Sequence, residues 1–408
     1  MICRHCKCDI SLQLIDLGVT PPSNAYVEIE RLNEIEKSYS LKVLVCEKCW
    51  LVQTKDVVDA AELFSHDYAY FSSYSTSWLE HSKAYVKQVE RQFSLGVQSL
   101  VVEIASNDGY LLQYFKEKDI PCYGIEPTVS ASEAAKRKGL DTIQEFFSAK
   151  IARELRERGR QADLVVANNV LAHVPNINDF LEGVAIILKK NGIATFEFPH
   201  VINLIRENQF DTIYHEHYSY LSLTSLRHIL DSVGLRLFDA EKLETHGGSL
   251  RVFVQLSDGE RHKVASAVDQ ILNEEEKVGV SQRDFYLKFQ QKAEKSRDDF
   301  IEFLECAKEE GKRVAGYGAA AKGNTLLNFA GIDAGSLAYI VDQNPAKQGK
   351  RTPGSRIPIV AEEHLRGDKP DYVIIFPWNL KQEVMSLLRY ITVWGGRFVI
   401  PVPEVEVV

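Results

Sequence analysis

The chain has 408 residues, 45% hydrophobic and 26% charged, and a formal net charge of −9. That length provides for two or three domains with ordinary cores, the acidic balance argues against a nucleic-acid partner, and no apolar run approaches a membrane span. The first ten residues lack a signal-peptide pattern, so the expected compartment is the cytoplasm, where seven cysteines read as reduced thiols and not as a disulfide framework.

Five of those cysteines fall within the first 49 residues. Cys3-x-x-Cys6 and Cys46-x-x-Cys49 have the spacing of two knuckles that share one tetrahedral zinc ion through four thiolates. With all four positions filled by protein, such a site is structural. Cys8 is a possible substitute for Cys6. Residues 17–26 read as a rigid polar loop, either a linker or part of a substrate wall. Residues 63–78 are crowded with aromatic rings and serines. Tyr68 and Tyr70 there suit contact with a sugar or a base, and a half-buried loop explains the pattern as well. A helix is expected from Trp78 to Gln92.

The most informative stretch follows. Residues 100–104 form an apolar strand, Ala105 to Gly109 a tight turn, and Tyr110 to Lys118 a helix. A second strand ends at Glu126. This is the opening βαβ unit of a doubly wound α/β domain, whose ligand lies outside the carboxyl ends of the strands. A dinucleotide fingerprint places glycines where this chain has Ala105, Asn107 and Gly109, and Asp108 makes the turn acidic. An acidic turn is a poor phosphate cradle and suits an ammonium group, while Glu126 suits a ribose diol. An adenosine with a cationic tail and no phosphate fits both, which points to S-adenosylmethionine over NAD or an empty sheet. The expected cofactor set is Glu103, Ala105, Asn107, Asp108, Gly109, Glu126, Phe146 in the loop after the third strand, and Asn168 at the end of the fourth. His173 follows Asn168 and should face the same crevice. A helix at 179–188 and a strand at 192–198 continue the alternation.

Residues 210–220 bring together Tyr214, His215, Glu216, His217, Tyr218 and Tyr220. The order is not HExxH, which excludes a protease-type zinc helix. A metal on the two histidines, acid–base chemistry by an imidazole beside a phenol, and a polar loop without chemistry all remain open. Residues 245–251 form a loop of small residues that leads into another strand. Residues 259–310 are charged and helical in period, and read as surface helices between domains.

A second strand–turn–helix start lies at 313–327, with Gly316-x-Gly318-x-x-Ala321. Short strands follow near 337–341, 371–376 and 397–402. This turn is glycine-rich and basic through Lys322 and Lys347, with Asn344 nearby, and suits a phosphate at a helix N-terminus. One crevice should therefore favour a cation and the other a diphosphate.

Taken together, these motifs resemble the sugar-nucleotide C-methyltransferase family, which acts on 4-keto-deoxyhexoses carried on a nucleoside diphosphate. The resemblance spans essentially the whole chain. It adds residues 17–21 (Leu-Gly-x-Thr-Pro), 124–127 (Gly-Ile-Glu-Pro), 168–174, 214–217 and 246–251 to the motifs above. It implies a small zinc-binding and substrate-contacting domain at 1–78, a methyltransferase domain at 79–258, a helical connector at 259–310 and a Rossmann-like nucleotide-sugar domain at 311–408. It also implies that His217 is the base, that Tyr214 and Glu216 are its neighbours, and that His173 and Tyr68 or Tyr70 approach the sugar, with Lys322, Asn344 and Lys347 on the nucleotide side. Ala105 departs from the family's usual glycine and should narrow the turn. The expected reaction adds a methyl group to C-3 of the keto-sugar through an enolate, whose oxygen Tyr214 or His173 supports while Glu216 orients His217. An O- or N-methyltransferase and a non-catalytic zinc-stabilised binding protein are the alternatives. The oligomeric expectation is a monomer or weak homo-oligomer.

Overall fold

A computed structural model describes residues 1–55, 58–63, 71–259 and 261–408. Three sheets organise the chain. The central one has seven strands in the order Leu235–Leu243, Ser249–Leu256, Leu188–Pro199, Ala162–Asn168, Val101–Ile104, Cys122–Ile125, Thr142–Ile143. The last five named run parallel, and Ser249–Leu256 runs antiparallel to both its neighbours. Strand order reverses between Val101–Ile104 and Ala162–Asn168, so the ligand crevice of such a sheet opens at Ala105 on one strand and Asn168 on the other. Both strands are buried along nearly their whole length, which is why they read as largely apolar runs.

The sequence reading of this unit needs three amendments. The fifth strand begins at Leu188, four residues before the expected start. The helix before it spans Ile177–Ile187, capped by the Asn176 side chain on the Asp179 amide. The strand Leu235–Leu243 has no counterpart among the expected elements. Its alternation of buried and half-buried residues is that of an edge strand, interrupted by a bulge between Leu237 and Asp239.

The N-terminal sheet is antiparallel: Leu12–Thr20, Tyr39–Val45, Val52–Thr54, and then Ser219–Tyr220 from far along the chain. The polar loop expected at 17–26 therefore begins only after Thr20. The C-terminal sheet has the order Ile359–Val360, Ile340–Val341, Val314–Tyr317, Tyr372–Ile375, Arg397–Ile400, Glu406–Val407, with only the last pairing antiparallel. Its switch point lies between Val314–Tyr317 and Tyr372–Ile375, beside Gly318 and Pro377. Gly318 has φ +86°, and a Cβ there would meet Pro377 Cδ at 2.5 Å, so only glycine lets the two strand ends close together.

The helices Ser266–Val278 and Phe289–Glu309 are not merely a surface connector. Glu275 is fully buried and accepts the Leu223 and Thr224 amides at 2.6 and 2.7 Å, along with the His200 ring at 2.7 Å. It neutralises the amino end of the helix Leu223–Ser232. Phe289, Ala293, Phe300 and Leu304 pack into the core shared by the N-terminal and C-terminal sheets. No helix among the described residues is long and apolar enough to cross a membrane.

Candidate functional site

The four thiols Cys3, Cys6, Cys46 and Cys49 lie with their sulfurs within 4.8 Å of one another. Cys3–Cys49 is 3.6 Å and Cys6–Cys46 is 3.5 Å. Zn–S bonds of about 2.3 Å give a tetrahedron with edges of about 3.8 Å, so the cage has the size of a zinc ion. The two knuckles match: Lys7 and Trp50, each following a second cysteine, take positive φ, and their amides return to the carbonyls of Cys3 and Cys46. Cys8 is outside the cage. Gln53 donates to the Cys3 sulfur at 3.3 Å and orients it from behind.

In the central crevice, Ala105, Asn107 and Gly109 have φ of +55°, +50° and +77°. All three sit where a fingerprint would place glycine, and the backbone path explains why. At Gly109 a Cβ would also strike Leu140 Cδ1 at 2.1 Å. Glu126 is buried and accepts the Asn107 and Thr128 amides at 2.9 and 2.8 Å, which fixes its carboxylate at the end of the second strand. Burial raises Glu126 above the usual carboxylate range. Burial pushes Glu103 well above it, and the Tyr110 hydroxyl opposes the shift. Asp108 is less available than its position implied. Lys138 pairs with it at 3.0 Å and the Ser73 hydroxyl donates to the same oxygen. Lys138 and Ser73 thus occupy the oxygen of Asp108 that the acidic turn was expected to offer, and burial disfavours the charged forms of Glu103 and Glu126 until a cation joins them. Asp108 Oδ1 and both polar atoms of Asn168 are buried without a hydrogen-bond partner. Unsatisfied polar atoms at a strand-end crevice fit a bound polar cofactor. The Ser72 amide donates to Asn107 at 2.9 Å, so the segment before the helix Thr76–Phe93 covers the turn. Phe146, also expected in the cofactor set, is 44% exposed. Tyr68 and Tyr70 lie outside the described residues.

His217 lies in the neighbouring loop, 8% exposed. Its Nδ1 faces the Thr212 carbonyl at 2.9 Å. A carbonyl only accepts, so Nδ1 carries the proton and Nε2 keeps its lone pair. The Thr212 carbonyl thus makes the orienting contact expected from the Glu216 carboxylate. The Tyr214 ring lies 3.9 Å away between centroids, tilted by 34°, and the His173 ring lies edge-on at 4.6 Å. Burial holds His217 well below its ordinary value, and His173, His246 and Lys322 push the same way. His173 donates Nδ1–H to the Glu216 carbonyl at 2.9 Å, and burial lowers it to about 4. A neutral His173 in that tautomer offers a lone pair at Nε2, not a proton. Glu216 is buried and raised by burial, and accepts the Asn24 side chain at 3.0 Å.

On the C-terminal side, burial lowers Lys322 to about 8, with Asp211 opposing. Its ammonium sits 4.0 Å over the Trp378 ring and donates to Asn379 at 2.8 Å. Trp378 in turn donates to Asp211 at 2.7 Å, and burial pushes Asp211 up to about 6. Lys347 does not join this group. It is held by the Ala319 carbonyl at 2.9 Å and by Asp342 at 3.4 Å, with the Tyr26 ring alongside. Asn344 caps its own turn by accepting the Ala346 amide. Thus His217, Tyr214, His173, Glu216 and Lys322 converge, while Lys347 and Asn344 stay in a separate turn. Sequence reasoning missed Thr212, Asp211 and Trp378. The first two stand inside the quoted 210–220 stretch, but nothing in their spacing marks a role.

Three family models match the chain: a zinc binding domain over residues 3–64, a methyltransferase domain over 78–239, and a C-methyltransferase C-terminal domain over 244–403. Among solved structures, magnesium protoporphyrin IX methyltransferase from Synechocystis PCC 6803 with bound SAH is 15% identical. It covers 43% of this chain and 82% of that one at a TM-score of 0.36. The CcbJ methyltransferase from Streptomyces caelestis is 12% identical, covering 44% of this chain and 92% of that one at 0.35. C-methyltransferase NovU from Streptomyces niveus is 35% identical over 406 residues, covering 100% of this chain and 96% of the relative. With that whole-length match, the chain belongs to the C-methyltransferase family: an S-adenosylmethionine-dependent methyltransferase with a zinc-binding N-terminal unit.

Proposed function

We propose that the acceptor is a nucleoside-diphosphate 4-keto-deoxyhexose and that His217 removes the proton at C-3, next to the keto group. The observation that carries this reading is the tautomer of His217, with Nδ1–H committed to Thr212 and a basic Nε2 in a buried loop between Tyr214 and His173. Burial keeps the imidazole neutral at neutral pH and hence able to accept a proton. The enolate oxygen that forms needs a donor. His173 offers a lone pair in its neutral tautomer, so the Tyr214 phenol is the better candidate of the two expected. S-adenosylmethionine, when bound, supplies an electrophilic methyl group. The residues at 103–109 and Glu126 hold it beside the loop, and holding both partners in line is most of the task. Lys322 and Asp211 flank the loop with opposite charge, which suits the diphosphate and the hydroxyls of a sugar nucleotide respectively.

The test is product analysis by mass spectrometry. The protein is incubated with S-adenosylmethionine and a panel of nucleoside-diphosphate 4-keto-6-deoxyhexoses in deuterated water. A methyl gain on carbon with exchange of the C-3 proton is expected. A gain on a hydroxyl or amine instead would overturn the C-3 assignment. His217→Asn should abolish turnover and leave cofactor affinity near wild type; turnover comparable to wild type would remove His217 as the base.

A further inference from the structure

We propose that Asn24 is a positioning residue for Glu216, through which the zinc-bearing unit forms part of the acceptor site. The segment 21–27 leaves the N-terminal sheet and runs between the other two units. The Ser23 carbonyl accepts the Asn324 side chain at 2.7 Å, and the Ser23 hydroxyl meets that of Thr325 at 3.3 Å. Thr325 donates to the Ile213 carbonyl at 3.0 Å, at the start of the His217 loop. The Tyr26 hydroxyl donates to the Ala319 carbonyl at 2.5 Å. Val27 exchanges two backbone hydrogen bonds with Arg351, both 2.9 Å. Each anchor fixes the segment to the C-terminal unit. Asn24 faces the other way: its side chain reaches into the His217 loop and donates to Glu216 Oε1 at 3.0 Å.

That bond helps to place a buried carboxylate, together with the backbone amides of Asn24 and of Glu216 itself. Glu216 is 1% exposed, and its second oxygen is buried without a hydrogen-bond partner of ordinary geometry. A buried carboxylate with one oxygen fixed and the other unsatisfied is poised for a donor from a ligand, such as a sugar hydroxyl. The same residue's backbone carbonyl accepts the His173 Nδ1–H at 2.9 Å, so the residue whose carboxylate Asn24 holds also holds the imidazole. The side-chain amide of Asn24 therefore helps to set both the carboxylate and the imidazole on the acceptor side.

The inference rests on the reading of residues 213–217 as the acceptor-handling loop, and its test separates the two. Asn24→Asp keeps the shape and replaces the donor by an acceptor facing a carboxylate. We expect kcat/KM for the best keto-sugar nucleotide of the panel to fall about ten-fold or more. The dissociation constant for S-adenosylmethionine, measured by titration, should stay within two-fold. The melting temperature should fall, and adding Glu216→Gln should restore it, because the new amide donates to Asp at 24. Ser23→Ala loosens the same segment without touching Glu216 and serves as the comparison. A kcat/KM of Asn24→Asp within two-fold of wild type, an equal loss in Ser23→Ala, or no recovery of melting temperature in the double variant would each overturn the proposal. Activity in His217→Asn would instead overturn the reading of the loop, whatever Asn24 does.

Discussion

The guanidinium of Arg4 donates to the carbonyl of Tyr218 at 2.8 Å, joining residues 214 positions apart. Arg4 lies inside the first cysteine knuckle, and Tyr218 directly follows His217. Arg4 is 8% exposed, also reaches Thr54 at 3.2 Å, and is lowered to about 10 by burial. The strand Ser219–Tyr220 then completes the N-terminal sheet. A structural metal site is thus fastened to the loop that carries the imidazole.

Zinc removal should therefore stop turnover although the ion touches no reactant. Chelation, or Cys46→Ser, is expected to lower activity more than ten-fold and to lower the melting temperature, since structural zinc contributes directly to folding. Arg4→Gln should retain zinc, measured by metal analysis, and still lose activity. Full activity in zinc-free protein would sever the link.

The histidines predict a stability change on the acid side. His173 and His246 are each lowered to about 4 by burial, and His217 lies well below its ordinary value. Between those values and about 6.5 the unfolded chain binds more protons than the folded one, so stability is complete above pH 6.5 and is lost as pH falls. The urea midpoint should drop between pH 6.5 and 4. His173→Gln removes one titrating group and should flatten that slope. The acid limb of kcat/KM should lie below pH 6.5.

Glu103 predicts the opposite sign. Its folded value is raised, so the charged form is penalised in the native state and stability falls as pH rises above about 4.5. Glu103→Gln removes that penalty. The variant is expected to melt higher than wild type at pH 8 and to bind S-adenosylmethionine at least about ten-fold more weakly, because the carboxylate charge that a cationic ligand would pair with is gone. Calorimetry at two pH values and cofactor titration decide it; unchanged affinity would remove Glu103 from the cofactor set.

Ala105 carries strain that glycine would relieve. At φ +55° an L-residue costs about 1–2 kcal/mol, and glycine's greater unfolded-state entropy offsets part of the gain. Ala105→Gly should stabilise the protein by about 0.5–1 kcal/mol in urea unfolding. Cofactor affinity is expected to hold, because the backbone path is already the one glycine would take. A loss of stability would mean that the methyl group makes a packing contact worth more than the strain.

Periodic and local features could be read from neighbouring residues. Largely apolar strands at 101–104 and 162–168, the Ala105–Gly109 turn and Glu126 were legible because strand burial and turn chemistry are written in adjacent residues. The two cysteine pairs were legible because a tetrahedral thiolate site requires that spacing, though only folding distinguished Cys6 from Cys8. The edge strand Leu235–Leu243 escaped because its pattern is broken by a bulge and by charges on its open face. The tertiary structure alone decided how charges pair: Lys138 meets Asp108, Lys347 meets Asp342, and Lys322 stands over Trp378 near Asp211. It also assigned the Nδ1 proton of His217 to the Thr212 carbonyl and the Glu216 carboxylate to Asn24. Residue types announce which groups can ionise or donate. Which partner each one finds depends on the folded backbone path, whether the partner is five residues away, as Thr212 is from His217, or 192, as Asn24 is from Glu216.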